Sequence, residues 1–327
     1  MALSEFDLIA RYFKQSGLAA DPALHPGVAL GIGDDCALLN IAAAEQLAVS
    51  MDVLVETVHF PAGAPAALIA ERALAVNLSD LAAMGARPLG FTLGLTLPRV
   101  DEAWLQSFSN GLRESALRYR CPLLGGDTTR GPLQIAIQVH GTLPVGTALT
   151  RSGAKAGDEV YVSGTLGRAG LALSVLQNTL PAANAGQRAE LLSAYYQPQP
   201  RLALGSALRG IASAAQDVSD GVLADLGHIA RSSNVAMQLC AAAIPVASVV
   251  SALRESAAAL ELALTAGDDY ELVFTAAPDE HAAVLAAAVS AGVKVTRIGT
   301  VVAGHGMEVR TADGNVLHFA RQGFQHF

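Results

Sequence analysis

Charge is scarce in this chain, cysteine scarcer, and several familiar phosphate-transfer motifs are missing. Only 15% of the 327 residues are charged while 52% are hydrophobic, too apolar for disorder and ample for a large core. The net charge of −8 leaves no basic excess of the kind that nucleic acid rewards. Cys36, Cys121 and Cys240 are far apart and form no C-x-x-C pair. They are expected to be reduced thiols in a cytoplasmic protein. No His/Cys spacing suits zinc. The absence of G-x-x-x-x-G-K-[ST] excludes a P-loop, and the absence of an H-R-D/D-F-G pair excludes a protein-kinase site. Residues 1–7 show no basic segment leading into an apolar run, so no signal peptide is expected. The longest uncharged stretch, 232–253, contains Asn234, Gln238 and Pro245. It reads as a strand, a turn and a helix start rather than a membrane span.

The length fits about two domains. Periodicity predicts helices over 4–16, 65–84 and 101–119, the last with Asp101 as N-cap, and strands over 47–51, 91–97, 122–125 and 133–143. Pro144, Gly146, Gly153 and Gly157 mark a connection, and the boundary is placed between 1–147 and 148–327. The second half is expected to hold a strand over 159–163, then a glycine-punctuated turn and a helix to about 178. Helices are further expected over 188–196, 201–215, 221–232 and 279–291, with strands over 235–240, 271–276, 294–302, 307–311 and 316–320.

What the chain does have is a series of aspartates beside turn-forming residues at the ends of apolar runs: Gly33-Asp34-Asp35, Ser50-Met51-Asp52, Asn77-Leu78-Ser79-Asp80, Gly125-Gly126-Asp127, Asp217-Val218-Ser219-Asp220-Gly221 and Gly267-Asp268-Asp269-Tyr270-Glu271. The first five have an ordinary alternative: an Asp-rich turn at 33–35, a capping Asp52, an internal hydrogen bond for Asn77 or Asp80, a glycine hairpin at 125–126, an N-cap at Ser219 or Asp220. Together they look like oxygen ligands for hard cations, and such cations reverse the sign that an acidic protein presents to phosphates. Arg151 and Lys155 are the positive charges nearest the boundary, suited to nucleotide phosphates. His59 reads equally well as a half-buried core histidine.

With these motifs in order the chain resembles the thiamine-monophosphate kinases of the aminoimidazole-ribonucleotide-synthetase-like superfamily. The stretches that carry the resemblance are GIGDDCALL (31–39), SMDVLVETVHF (50–60), AVNLSDLAAMGARP (75–88), LLGGDTTRGPL (123–133), LTRSGAKAGDEVYVSGTLG (149–167), DVSDG (217–221) and GDDYEL (267–272). The resemblance implies an N-terminal α+β domain that binds ATP and Mg²⁺ and pairs with its twin in a homodimer, and a C-terminal α/β domain. It implies ATP-dependent phosphorylation of thiamine monophosphate to thiamine diphosphate with several Mg²⁺ ions. Metal ligands fall on Asp35, Ser50, the Met51 main chain, Asp52, Asp80, Asp127, Asp217 and Asp220. Nucleotide contacts fall on Gly126, Asp127, Arg151 and Ser219, and substrate contacts on His59, Asp268 and Phe324. The family often carries Glu at the position of Asp268, and Tyr or Trp at that of Phe324. The alternatives are a purine cyclo-ligase of the same superfamily, or a non-catalytic nucleotide-binding scaffold. No nucleic-acid or membrane partner is expected.

Overall fold

The computed structural model describes residues 5–180, 183–321 and 323–324, which form two compact units: the first runs to residue 146 without 82–85, and the second takes 82–85 with the described residues from 147 on. In unit 1 a short helix α1 (Glu5–Leu8) runs on into a wide π turn (Ile9–Lys14). Position 4 of the expected 4–16 helix lies outside the described residues, as do 325–327. A small β1 (Val28–Leu30)/β2 (Leu38–Leu39) ladder frames the Asp34-Asp35 loop. The main sheet has the order β3 (Glu45–Val55), β6 (Gln134–Pro144), β4 (Arg87–Leu97), β5 (Leu123–Arg130). The β4/β5 pair is parallel and the other two are antiparallel.

Helices α2 (Ala66–Ala83) and α3 (Glu102–Tyr119) supply Ile69, Leu74, Leu78, Phe108 and Leu112 to the core, all at most 1% exposed. Alternate sheet positions Leu93, Ile135, Ile137 and Val139 are buried with them. Each such side chain contributes about 1.5–3 kcal/mol by leaving water. Asp101 caps α3 as expected, accepting the Trp104 N–H at 3.0 Å.

Unit 2 is built on a mixed seven-stranded sheet with the order β13 (Val316–Leu317), β12 (Gly306–Arg310), β9 (Ala236–Cys240), β11 (Val295–Val302), β7 (Glu159–Ser163), β10 (Leu272–Ala276), β8 (Ala212–Asp217). Every β7 residue is buried, because helices cover both sheet faces. Val160 and Val162 join one core with α7 (Val222–Ser233) and α9 (Ser256–Thr265), while Tyr161 joins the other with α6 (Leu202–Ala207) and α10 (His281–Ala291). The remaining helices are α4 (Arg168–Leu176), α5 (Ala185–Tyr196) and α8 (Ser248–Leu253).

One expectation is corrected. The helix expected over 201–215 stops at Ala207, Gly210 turns the chain at φ 76°, and residues 212–217 are strand β8. Their alanines favour helix locally, but antiparallel pairing with β10 overrides that propensity. Among the described residues no helix is long and apolar enough to cross a membrane.

Candidate active site

Unit 1 brings Ser50, Asp52 and Asp80 together. Side chains alternate along β3, so Ser50, Asp52 and Leu54 share the helix-covered face while Met51 and Val53 look the other way. Leu54 is 4% exposed and Met51 54%. Ser50 Oγ donates to Asp80 Oδ2 at 2.5 Å. The backbone N–H of Asp52 donates to Asn77 Oδ1 at 2.9 Å, and Asn77 Nδ2 donates to the Ala73 carbonyl at 2.9 Å. Asn77 is therefore fully buried yet satisfied at both ends of its amide. It brackets the aspartate strand to the aspartate helix.

Burial, and after it the neighbouring Asp80 charge, push Asp52 up to about 6. Two carboxylates held this close disfavour double ionisation, and a divalent cation between them removes that cost. The donors are all hydroxyl or carboxylate oxygens, which suit Mg²⁺.

Gly126 and Asp127 lie apart from this cluster. Register carries the row Asp52, Ile137, Leu93, Gly126 straight across the sheet. Gly126 is thus level with Asp52 but three strand spacings away, roughly 14 Å. Asp127 is exposed and follows on the opposite face, level with Gly94, Ala136 and Val53. A Cβ at Gly126 would stand 2.0 Å from the Leu93 carbonyl oxygen, so only glycine lets β5 approach β4 here. Asp34 and Asp35 are exposed, and Asp34 Oδ1 accepts the Asp35 N–H at 2.9 Å, the turn arrangement open to that motif. His59 is half-buried after β3; its Nδ1 accepts the Val55 N–H at 3.0 Å, which fixes the proton on Nε2.

Unit 2 gathers a second set. Asp217 ends β8 and is 5% exposed. From there the chain is tied to the 267–271 loop: Val218 N–H to the Glu271 carbonyl at 2.8 Å, Asp268 N–H to the Ser219 carbonyl at 2.8 Å, and Tyr270 N–H to the Val218 carbonyl at 2.9 Å. The Phe324 N–H reaches the Asp220 carbonyl at 3.0 Å, and the Phe324 ring is 51% exposed. So Asp217, Ser219, Asp220, Asp268 and Phe324 stand together. Arg151 is exposed, its carbonyl accepts Ser233 Oγ at 3.1 Å, and its charge helps burial and Arg231 lower the pKa of His228.

Neither Ser219 nor Asp220 caps α7 with its side chain; Gly221 is the N-cap. Sequence reading passed over Asp225, which sits in the first turn of α7 where an acid complements the helix dipole, and which accepts the N–H groups of the loop leading into that helix. Burial and the Asp220 charge push it up to about 7, although backbone N–H groups pull the other way. Asp220, Asp225 and His228 bring one ligand atom each within 4.8 Å of one another. Sequence reading placed Glu271 in an acidic motif but gave it no role of its own. It is 1% exposed and held by Ser163 Oγ at 2.5 Å and by Arg201 Nε and Nη2 at 2.6 and 2.5 Å. Asp269, its neighbour, accepts the Gly167 N–H at 2.7 Å, and burial pushes it up to about 7.

Comparison with known proteins agrees with both units. Residues 33–143 match AIR synthase related protein, N-terminal domain, and residues 155–312 match AIR synthase related protein, C-terminal domain. The chain is 46% identical to a thiamine-monophosphate kinase from Escherichia coli (strain K12) over 327 residues, covering 100% of this chain and 99% of that one. The solved thiamine-monophosphate kinase from Stenotrophomonas maltophilia K279a is 44% identical and superposes with a TM-score of 0.85, covering 97% of this chain and 99% of that one. A structure of AaThiL complexed with AMPPCP and TMP is 28% identical with a TM-score of 0.78, covering 100% of this chain and 99% of that one. The chain belongs to the thiamine-monophosphate kinase family, within the AIR synthase related proteins.

Proposed function

We propose that this protein transfers the γ-phosphoryl group of ATP to the phosphate of thiamine monophosphate, yielding ADP and thiamine diphosphate. Full-length similarity to enzymes named for this reaction supports it. The observation of this chain's own that carries it is the Ser50–Asp52–Asp80 cluster, where two adjacent carboxylates lie half-buried with hard donors only.

The acceptor is a phosphate monoester, whose second pKa of about 6 leaves it largely ionised at neutral pH. No side chain has to remove a proton from it, and the aspartates are free to act as ligands. The obstacle is charge: two unit anions about 4 Å apart repel by about 4 kcal/mol at an effective dielectric of 20. Mg²⁺, when bound, supplies the charge that offsets this repulsion and stabilises the in-line transition state. Asp35, Ser50, the Met51 main chain, Asp52, Asp80, Asp127, Asp217 and Asp220 are the residues proposed to hold it.

Gly126, Asp127, Arg151 and Ser219 are proposed for the nucleotide, with Arg151 as a cationic clamp on its phosphates. His59, Asp268 and Phe324 are proposed for the thiamine phosphate. The exposed Phe324 ring offers a stacking surface to a heteroaromatic ring, and His59 offers an Nε2 proton. Positioning and charge neutralisation carry the rate, without a phosphoenzyme.

Residues 1–147 would be the ATP, Mg²⁺ and dimerisation domain and 148–327 the second domain. A homodimer through the first domain is supported by edge strand β3, which exposes Leu47, Val49, Met51 and Val53 on one face at 45%, 49%, 54% and 37%. A cytoplasmic location is supported by exposed, free Cys36 and Cys240.

A coupled ADP-release assay with ATP and Mg²⁺, comparing thiamine monophosphate with free thiamine and identifying the product by mass, tests the reaction. ADP and thiamine diphosphate formed only with the monophosphate is the expected result. Turnover with neither acceptor would overturn it.

A further inference from the structure

The start of a helix is a ready anion site, because successive backbone N–H groups point out of it together. In the loop that leads into α7 the successive N–H groups converge instead on a carboxylate of the chain itself. Asp225 Oδ2 accepts the N–H groups of Ser219, Asp220 and Gly221 at 3.1, 3.1 and 3.0 Å. Its Oδ1 accepts Gln216 Nε2 at 2.9 Å. Asp225 is 0% exposed and Gln216 4%. The amides of Ser219 and Asp220 are thereby committed, so only the side chains of these residues are left to meet an incoming ligand. The same short loop anchors its other neighbours through its carbonyls, Ser219 to the Asp268 N–H and Asp220 to the Phe324 N–H. One buried carboxylate therefore sets the position of the whole constellation.

We propose that Asp225 is the positioning residue of the phosphate-handling loop, touching neither substrate and holding Ser219 and Asp220, and through them Asp268 and Phe324, in place for Mg²⁺-nucleotide. This rests on the functional reading above. What Asp225 supplies is geometry rather than charge. Gln216 Oε1 is buried and has no hydrogen-bond partner among the described residues. In D225N one oxygen remains for the three amides, and Asn Nδ2 meets Gln216 once that amide reverses. In D225E the charge remains, but an added methylene displaces the loop. In D225A both are lost.

The test uses the full chain and two readouts: the dissociation constant of the non-hydrolysable ATP analogue AMPPCP with Mg²⁺ by calorimetry, and the Mg²⁺ concentration for half-maximal velocity. Ile229→Ala serves as the control, since Ile229 lies on the same helix, fully buried in the core, and its truncation lowers stability without touching the loop. D225A is expected to raise both quantities at least about tenfold, D225E by about three- to tenfold, and D225N by no more than about threefold. I229A should shift them less than about twofold despite a lower melting temperature. D225A binding as tightly as I229A, or D225N failing as badly as D225A, overturns the proposal. Should D225A not fold, the order of D225E and D225N decides alone. If the variants show this order of nucleotide affinities yet the wild type makes no thiamine diphosphate, the functional reading fails and the positioning role stands.

Discussion

Asn77 Oδ1 accepts the backbone N–H of Asp52 at 2.9 Å, across twenty-five positions of sequence, and so ties the strand that carries one acidic ligand candidate to the helix that carries another. Its own Nδ2 is spent on the Ala73 carbonyl one turn back. Asn77→Ala leaves the Asp52 N–H and the Ala73 carbonyl without this partner in a buried setting, at about 1–3 kcal/mol. The expected outcome is a lower melting temperature and a turnover reduced at least about tenfold, because the Asp52 carboxylate shifts with its backbone. Full turnover by a folded Asn77→Ala protein would show that the bracket is structural only.

The close approach of β5 to β4 makes a sharper demand. Gly126→Ala puts a Cβ 2.0 Å from a backbone carbonyl oxygen that belongs to a neighbouring strand and cannot swing aside. The substitution should destabilise unit 1 by more than about 3 kcal/mol or prevent folding, read by thermal melting and by recovery of soluble protein. A Gly126→Ala protein that melts with the wild type would mean the strand pair is looser than this geometry allows.

Much of this arrangement was legible in sequence, and the parts that were not share a cause. Asp52, Asp80, Asp217 and Asp220 stood out because carboxylates ending apolar runs conflict with burial, and the conflict shows locally. Strand β8 was misread because Ala212, Ala214 and Ala215 say helix to their neighbours, while the β10 pairing that makes them strand comes from more than fifty residues further on. Asp225 was missed for the opposite reason. An acid in the first turn of a helix is so ordinary that nothing marks the three amides folding back onto it. The wide separation of Asp127 from Asp52 follows from strand order, which no local motif encodes.

The apolar stripe on β3 yields a test independent of catalysis. Val49 is 49% exposed and lies mid-strand between Leu47 and Met51 on the same face. Val49→Lys places a charge in the middle of that face, which a self-complementary interface would bury twice. Light scattering on the eluting protein should show a dimer for the wild type and a monomer for Val49→Lys. An unchanged mass would move the interface elsewhere.

The carboxyl groups of Asp52, Asp225 and Asp269, raised to about 6, 7 and 7, give the metal-free protein a pH signature. An unfolded chain ionises its aspartates near pH 4. Between about pH 4 and pH 7 the folded state therefore holds more protons than the unfolded state, and stability falls as pH rises through that window. Cation binding beside Asp52 reverses the penalty by favouring the ionised carboxylate. In the presence of a chelator the melting temperature should drop between about pH 4 and pH 7, and the gain on adding Mg²⁺ should be larger at the higher pH; a cation at about a hundredfold excess over its dissociation constant contributes about 2.7 kcal/mol. Asp52→Asn removes one of the three titrating groups and one ligand, so its melting curve should depend less on pH and respond less to Mg²⁺. A Mg²⁺ response in Asp52→Asn equal to that of the wild type would remove Asp52 from the cation site and return its raised pKa to burial beside Asp80 alone.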